Sequence, residues 1–392
     1  MTNRKGKKLT ESRTSKKCKH VGMILLAGLL CFPRSLVSAE MIFDESLVVS
    51  ETEEDKASTV LTTDEAKEKG WVDFYLMCNE GMSSRGGNSG NTSMVVAMNG
   101  NSGTIRLMMF AWDTFVEYEG YDLPQKLDMA YRNDGPEETV KVFNANFDLG
   151  VEKFLSLNYL NLATLIDDYD GVVVDVSRAE RNALNQLVAS KKENIQAKKD
   201  TNLLEQIAVE LLAKEYYLNE FGPDTRLNGL QAVAFGWLQY DSVYNCCKRE
   251  VEVVAGLFRS VGHTLNEEVL FYTDEAGKPE ISDNRRLINL DDVTDEDLTF
   301  LRQAISPIFS TSYHNLTEEE INSFSLALAW AYYKASRQGV NILERIETTV
   351  FPLEVHDPYV MIGGVQGHLV NYEANSVEMR SFLYMDDGLS PE

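Results

Sequence analysis

Basic residues, cysteines and histidines are scarce in this chain of 392 residues, which carries 37 Lys+Arg against 61 Asp+Glu, five cysteines and five histidines. The shortage of positive charge excludes nucleic acid as a partner, because phosphate contacts need clustered Lys and Arg. A strongly negative field also works against polyanionic ligands unless a local basic pocket overrides it. Cysteine is too rare for a disulfide framework. Beyond residue 39 only Cys78, Cys246 and Cys247 remain, an odd number containing an adjacent pair, and adjacent cysteines rarely bridge each other. Buried thiols are the expectation, with one bridge from Cys78 to the pair left open. The histidines show no H-E-x-x-H or similar spacing, which removes zinc. A Walker loop, a dinucleotide fingerprint and the G-x-S-x-G nucleophile elbow are all missing. Gly87-Asn88-Ser89-Gly90 is like the serine loop of some secreted serine proteases, yet the histidine upstream of it is His20, so it reads as a flexible loop. Asp167, Asp168 and Asp170 cluster at a predicted helix end, where a solvated turn is the default and a cation site the rival.

What is present begins with a basic N-terminus. Residues 1–20 hold Arg4, Lys5, Lys7, Lys8, Arg13, Lys16, Lys17 and Lys19 against Glu11, and Val21–Phe32 is an apolar run of twelve. Val37-Ser38-Ala39 then supplies small residues. That layout predicts a secretory signal over 1–39, since twelve residues fall short of the ~20 needed to span a bilayer. An uncleaved N-terminal anchor is the alternative. The protein is therefore expected outside the cytoplasm, secreted or at the cell envelope, close to a membrane surface. Residues 1–39 hold nine basic residues and one acidic one, so the remainder has 28 basic and 60 acidic residues, a net charge of −32. Residues 40–70 are acidic and weakly periodic and read as a linker, and 385–392 as a tail.

The stretch Phe154–Val176 organises the rest. Phe154–Asn158 alternates like a half-buried strand, Leu160–Asp168 places Leu162, Leu165 and Ile166 at helical spacing, and Val172–Val174 runs on as a buried β-branched strand. Strand, helix and strand in so few residues predict an α/β domain with helices packed on a sheet. Further strands are expected at Trp71–Cys78, Ser93–Met98 and Thr104–Ala111, the last two joined through an Asn99-Gly100 turn. Later come strands at Asn341–Phe351 and Tyr359–Ile362. Helices are expected at Asp64–Lys69 and Glu137–Asp148, from Arg178 behind a Ser177 cap, and at Leu227–Gln239, Arg249–Val261, Leu316–Arg337 and Asn375–Tyr384. A charged helical insertion runs near 189–220, stopped by Gly222-Pro223. Asn266–Asp297 reads as polar and turn-rich. No linker divides 71–384, which predicts one domain.

The order of several motifs resembles the LytR-CpsA-Psr family of cell-envelope proteins. Trp112-Asp113-Thr114-Phe115-Val116 stands where that family has Arg-Asp-Thr after a strand. Lys126-Leu127-Asp128-Met129-Ala130-Tyr131 is similar to its K-I-N-x-A-Y run. Leu165-Ile166-Asp167 through Gly171-Val172 is similar to L-V-D-x-x-G-G-V, with Asp170 in place of the first glycine. Leu227–Ala232 is similar to L-x-G-x-Q-A, and Arg249-Glu250 falls where the family has Arg-Gln. The resemblance implies a central mixed β-sheet flanked by helices on both faces. It also implies transfer of a glycopolymer from a polyprenyl-pyrophosphate carrier to peptidoglycan. Such chemistry needs Mg²⁺ held by carboxylates beside the pyrophosphate, several arginines on the phosphates, and an apolar slot for the lipid.

The chain departs from the pattern at its charged positions. Asn91 replaces the acid of Ser-Asp-Thr, Trp112 the first arginine, Trp237 and Gln239 both arginines of Y-A-R-x-R, and Cys246 the arginine before Arg-Gln. Asp113 remains as the candidate catalytic and metal-holding acid, and Arg249 as the candidate catalytic base-charge, with Arg85 and Lys248 as auxiliaries. One lost charge contact in such a site typically costs several kcal/mol of transition-state stabilisation. The expectation is a catalytically degenerate, ligand-binding or scaffold member whose Trp112 and Trp237 suit a sugar ring or apolar ligand. Two rivals stand beside it. One is an active Mg²⁺-dependent transferase with Arg85, Lys248 and Arg249 converging on Asp113. The other is a structural or adhesive secreted protein.

Overall fold

The computed structural model describes residues 61, 63–79, 90–196, 214–280, 283–352 and 355–385. In chain order the elements are α1 (Thr63–Glu68), β1 (Trp71–Asn79), β2 (Gly90–Asn99), β3 (Ile105–Phe110), β4 (Phe115–Val116), β5 (Gln125–Lys126), α2 (Asp128–Asp134), α3 (Pro136–Phe147) and β6 (Phe154–Asn158). Then follow α4 (Tyr159–Asp168), β7 (Val172–Val176), α5 (Arg178–Gln196), β8 (Gly222–Leu227), α6 (Gly229–Gly236), α7 (Val243–Glu268), β9 (Val269–Tyr272) and β10 (Arg286–Asn289). The chain closes with α8 (Asp295–Ala304), α9 (Ser306–Ser310), β11 (Tyr313–His314), α10 (Glu318–Gln338), β12 (Ile346–Phe351), β13 (Val355–Ile362), β14 (Val365–Val370) and α11 (Tyr372–Tyr384).

Six strands form the central sheet in the order β11-β6-β1-β2-β3-β12. Pairs β1/β6 and β3/β12 are parallel and the others antiparallel, so the sheet is mixed. Period-two alternation sends successive side chains to opposite faces. Met94, Val96 and Met98 of β2 join one core with Leu107 and Met109 of β3, under α4, α6, α7 and α10. Val95 and Ala97 join the other with Met108 and Phe110, under α2, α3 and α11. Helices thus cover both faces. Each fully buried Leu, Val or Phe adds roughly 1.5–3 kcal/mol of transfer free energy, which is why both faces had to be covered.

Local chemistry explains the joints. In the β2–β3 loop, Asn99 Oδ1 accepts the N–H groups of Asn101 and Ser102 at 2.8 and 2.9 Å, an Asx turn that reverses the chain. Thr317 and Glu320 close a capping box at the start of α10, and Asn158 caps α4.

Some expectations are corrected. Strand β7 leaves the central sheet and pairs antiparallel with β8. Gly222-Pro223 opens that second strand as well as ending what precedes it. Of the helical insertion, residues 197–213 lie outside the described residues, and 217–221 are not helical. The stretch read as turn-rich holds the end of α7, β9, β10 and the start of α8, whose Thr294–Asp297 capping box went unread. The signal at 1–39, the linker up to residue 60 and the tail beyond 385 lie outside the described residues. Among the described residues no helix is long and apolar enough to cross a membrane.

Candidate functional site

The Leu227–Ala232 motif sets the position of α6. Asn228 caps the helix and Gln231 reaches back to complete a capping box. Gly229 lets the helix lie directly on α4, for a Cβ there would sit 1.8 Å from the Ala163 carbonyl oxygen. Asp167 Oδ1 accepts the Gly229 N–H at 2.8 Å, and Asp170 pairs with Arg226 at 2.9 Å. Two members of the acidic cluster therefore serve as structural acceptors. Among the described residues no group of three or more His, Cys, Asp or Glu side chains could hold a metal ion.

Trp237 is the C-cap of α6. The residue is 1% exposed, its ring lies 4.4 Å from that of Tyr159, and its indole N–H has no hydrogen-bond partner among the described residues. Across the site, Asp113 follows β3 and is 2% exposed. Its Oδ1 is 3.2 Å from His368 Nδ1, and its carbonyl accepts the His368 N–H at 3.1 Å. Gly367 permits this clamp, because a Cβ would lie 2.2 Å from the Asp113 carbonyl oxygen. Lys126 Nζ sits 5.3 Å over the Trp112 ring, while the Trp112 N–H and the buried Thr114 hydroxyl have no hydrogen-bond partner among the described residues.

The start of α7 carries the other matched positions. Arg249, with a side chain 3% exposed, makes a fork to Asp241 at 3.0 and 2.8 Å, donates to the Leu238 carbonyl, and stands 3.6 Å from Glu180. Its guanidinium also lies 5.1 Å over the Tyr240 ring. Glu250 is fully buried and accepts from the Thr92 hydroxyl at 2.7 Å and the Cys246 thiol at 3.7 Å. Burial drives its carboxyl well above the usual carboxylate range. Cys78, Cys246 and Cys247 are free and buried, and burial followed by the Glu250 charge pushes all three thiols up. Asp113 adds to the upward push on Cys247, which puts the two halves of the site within electrostatic reach.

The structure thus brings Asp113, Trp237 and the Arg249–Glu250 pair to one end of the sheet. Lys248 is exposed and lies 4.7 Å over the Tyr244 ring, and Gln239 is exposed. Arg85 lies outside the described residues, and so does the side chain of Asn91. Sequence reasoning missed His368, Thr92, Asp241 and Glu250 as participants. The Ser242-to-Asn245 cap of α7 gave the one local signal that Asp241 and Arg249 flank a helix start.

Mg²⁺ in a phosphate site is carried by one or two carboxylates and the substrate's own phosphates. Asp113 is buried and bonded to His368. The phosphate half of the site would need guanidinium groups where the chain has Trp112, Trp237, Gln239 and Cys246. The residues present do not fit that ion with a pyrophosphate, and no step is derived through it.

The LytR_cpsA_psr family model matches residues 42–256. No curated protein matches the chain. Among solved structures, TagV of B. subtilis is 13% identical with a TM-score of 0.50, covering 80% of this chain and 98% of its own. The protein gbs0355 from Streptococcus agalactiae is 15% identical with a TM-score of 0.51, covering 83% and 91%. TagT bound to LIIa-WTA is 15% identical with a TM-score of 0.50, covering 82% and 93%.

Proposed function

The chain belongs to the LytR_cpsA_psr family, and from that premise we propose that it is a cell-envelope protein that binds a lipid-linked or wall glycopolymer without transferring it. The reading takes the family's transferase-like fold and glycan-side ligand, and withholds the phosphoryl chemistry. TagT carries LIIa-WTA in its own structure, and a ligand of that general kind is expected here. Secretion or N-terminal anchoring would put the protein on the outer membrane-facing side where such a ligand is met.

One observation carries the proposal: the retained arginine is used inside the protein. Arg249 is locked by Asp241, Glu180 and the Leu238 carbonyl. A guanidinium in this state has no free fork for a phosphate. Of Arg249 only the single Nε–H lacks an acceptor among the described residues, and the other unanswered donors at this end of the sheet are neutral, the indole N–H groups of Trp112 and Trp237 and the Thr114 hydroxyl. A buried donor without an acceptor costs about 1–3 kcal/mol, a cost that a ligand oxygen would remove. A neutral sugar oxygen suits such donors better than a pyrophosphate does.

The test is a transfer assay with a polyprenyl-pyrophosphate-linked saccharide, peptidoglycan fragments and Mg²⁺. Binding without turnover is the expected outcome. Mg²⁺-dependent turnover that disappears in Asp113→Ala would overturn it and favour the transferase reading.

A further inference from the structure

The C-terminal half of α7 borders two clefts of about 640 and 770 Å³ that share Asn266 and Glu267 and so form one groove. It is remote from the site above: at 1.5 Å rise per residue, Arg259 and His263 lie roughly 15 and 21 Å along α7 from Arg249. Four guanidiniums line it, those of Arg226, Arg259, Arg285 and Arg286. Four carboxylates line it too, those of Asp170, Glu267, Glu268 and Asp283. The groove is formally neutral in a chain whose net charge is −24.

Arg286 is held by Asp297, whose side chain is 11% exposed, but the pairs in the Arg259 half of the groove are at the surface. Arg226 meets Asp170 at 2.9 Å and Arg259 meets Asp224 at 3.2 Å, with the two acids 96% and 75% exposed. Exposed pairs of this kind are weak and exchange readily for other hydrogen-bond partners. The floor is apolar. The Tyr332 ring fills the space beside Gly262, where a Cβ would lie 1.6 Å from Cε1, and Val340 and Ile342 continue that floor.

Charge balance selects the ligand class. A polyanion would meet four carboxylates and the negative field of the whole chain, and a polycation would meet four guanidiniums. A neutral polyol meets neither penalty. Each sugar hydroxyl both donates and accepts, which matches a wall where guanidinium donors alternate with carboxylate acceptors. The C–H faces of the rings match the apolar floor. Each cleft alone falls in the roughly 300–1,000 Å³ range of small-ligand pockets, so the joined pair holds more than one ring. We propose that this groove is an accessory binding site for a neutral oligosaccharide strand, separate from the site at Trp237 and Arg249.

The full chain is titrated by calorimetry and saturation-transfer NMR with chitotetraose and cellotetraose, and with a glycerol-phosphate oligomer of similar length. At least one neutral tetrasaccharide is expected to bind at millimolar concentration or better, and the phosphate oligomer more weakly. Arg226→Ala/Arg259→Ala weakens one binding event at least tenfold, and any separate event that Trp237→Phe alone removes belongs to the site in the preceding proposal. That contrast separates this groove from the site in the preceding proposal. If the double variant fails to fold, Glu267→Ala at the junction is read for the same tenfold loss. Absence of neutral-sugar binding, preference for the phosphate oligomer, or affinity indifferent to these substitutions overturns the proposal.

Discussion

At its N-terminal end α7 carries Arg249 and Glu250, 3% and 0% exposed; toward its C-terminal end it carries Arg259 and His263, with side chains 32% and 75% exposed. The first pair of residues is answered from within, by Asp241, Glu180, Thr92 and Cys246. The second pair is answered by Asp224 and Glu267 across solvent. One helix therefore supplies closed polar chemistry at one end and exchangeable polar chemistry at the other. Buried charge of the first kind holds a structure, because its desolvation cost is met only by its own partners. Solvated charge of the second kind contributes little to folding and stays available to a ligand.

The sharpest way to break this contrast is Arg249→Ala. It strands Asp241 and Glu180 beside a buried gap, and removing one partner of a buried pair typically costs about 3–5 kcal/mol. Chemical denaturation is expected to show that loss as a lower midpoint with the slope unchanged. A change below about 1 kcal/mol would mean that Arg249 is a free ligand-binding group, as the transferase reading requires.

The second test uses pH. Burial raises the Glu250 carboxyl well above its ordinary value, and burial raises the Asp73 carboxyl to about 6 despite the Tyr384 hydroxyl bonded to it. For both groups the folded state holds its proton more tightly than the unfolded chain does. Their contribution is therefore complete below the unfolded value, near 3.8 for Asp73 and 4.5 for Glu250, and is lost as pH rises through the folded value. The protein is expected to be more stable near pH 5 than near pH 8. Glu250→Gln keeps the shape of a neutral acid and cannot ionise. It should remove part of that decline, up to about 1.4 kcal/mol per pH unit above 4.5. Stability curves of both proteins between pH 4 and pH 9 check this, and identical slopes would show that Glu250 is not held neutral.

The sequence showed the two ends unequally. Alternation along Ser93–Met98 and Thr104–Ala111, the Asn99 turn, and Thr317 before three glutamates were legible because each is a local rule. Strand β8 and helix α8 were not read. The first is a charged strand paired with only β7, and the second hides its Thr294–Asp297 cap in a polar stretch. The site was legible only through resemblance. Asp113 and Arg249 were named, but what they touch was not. His368 reaches Asp113 across 255 residues, and Thr92 reaches Glu250 across 158. Glu250 was placed only as standing where the family has glutamine. Burial beside the Thr92 hydroxyl and the Cys246 thiol favours its protonated form, which is close in shape to the glutamine it replaces.

The smallest expected effect sharpens the other half of the comparison. Arg259→Ala removes a guanidinium that meets Asp224 at 3.2 Å with that carboxylate 75% exposed. Water can replace each lost hydrogen bond, and no buried charge is left behind. The change in stability is expected to stay within about 0.5 kcal/mol and to shrink in high salt, where the pair is already screened. Denaturation midpoints at low and high ionic strength measure it. A loss above about 2 kcal/mol would place Arg259 with Arg249 as a structural charge. It would also mean that the groove wall is locked, because a guanidinium on which the fold depends cannot turn to a sugar hydroxyl without loosening α7 against β8.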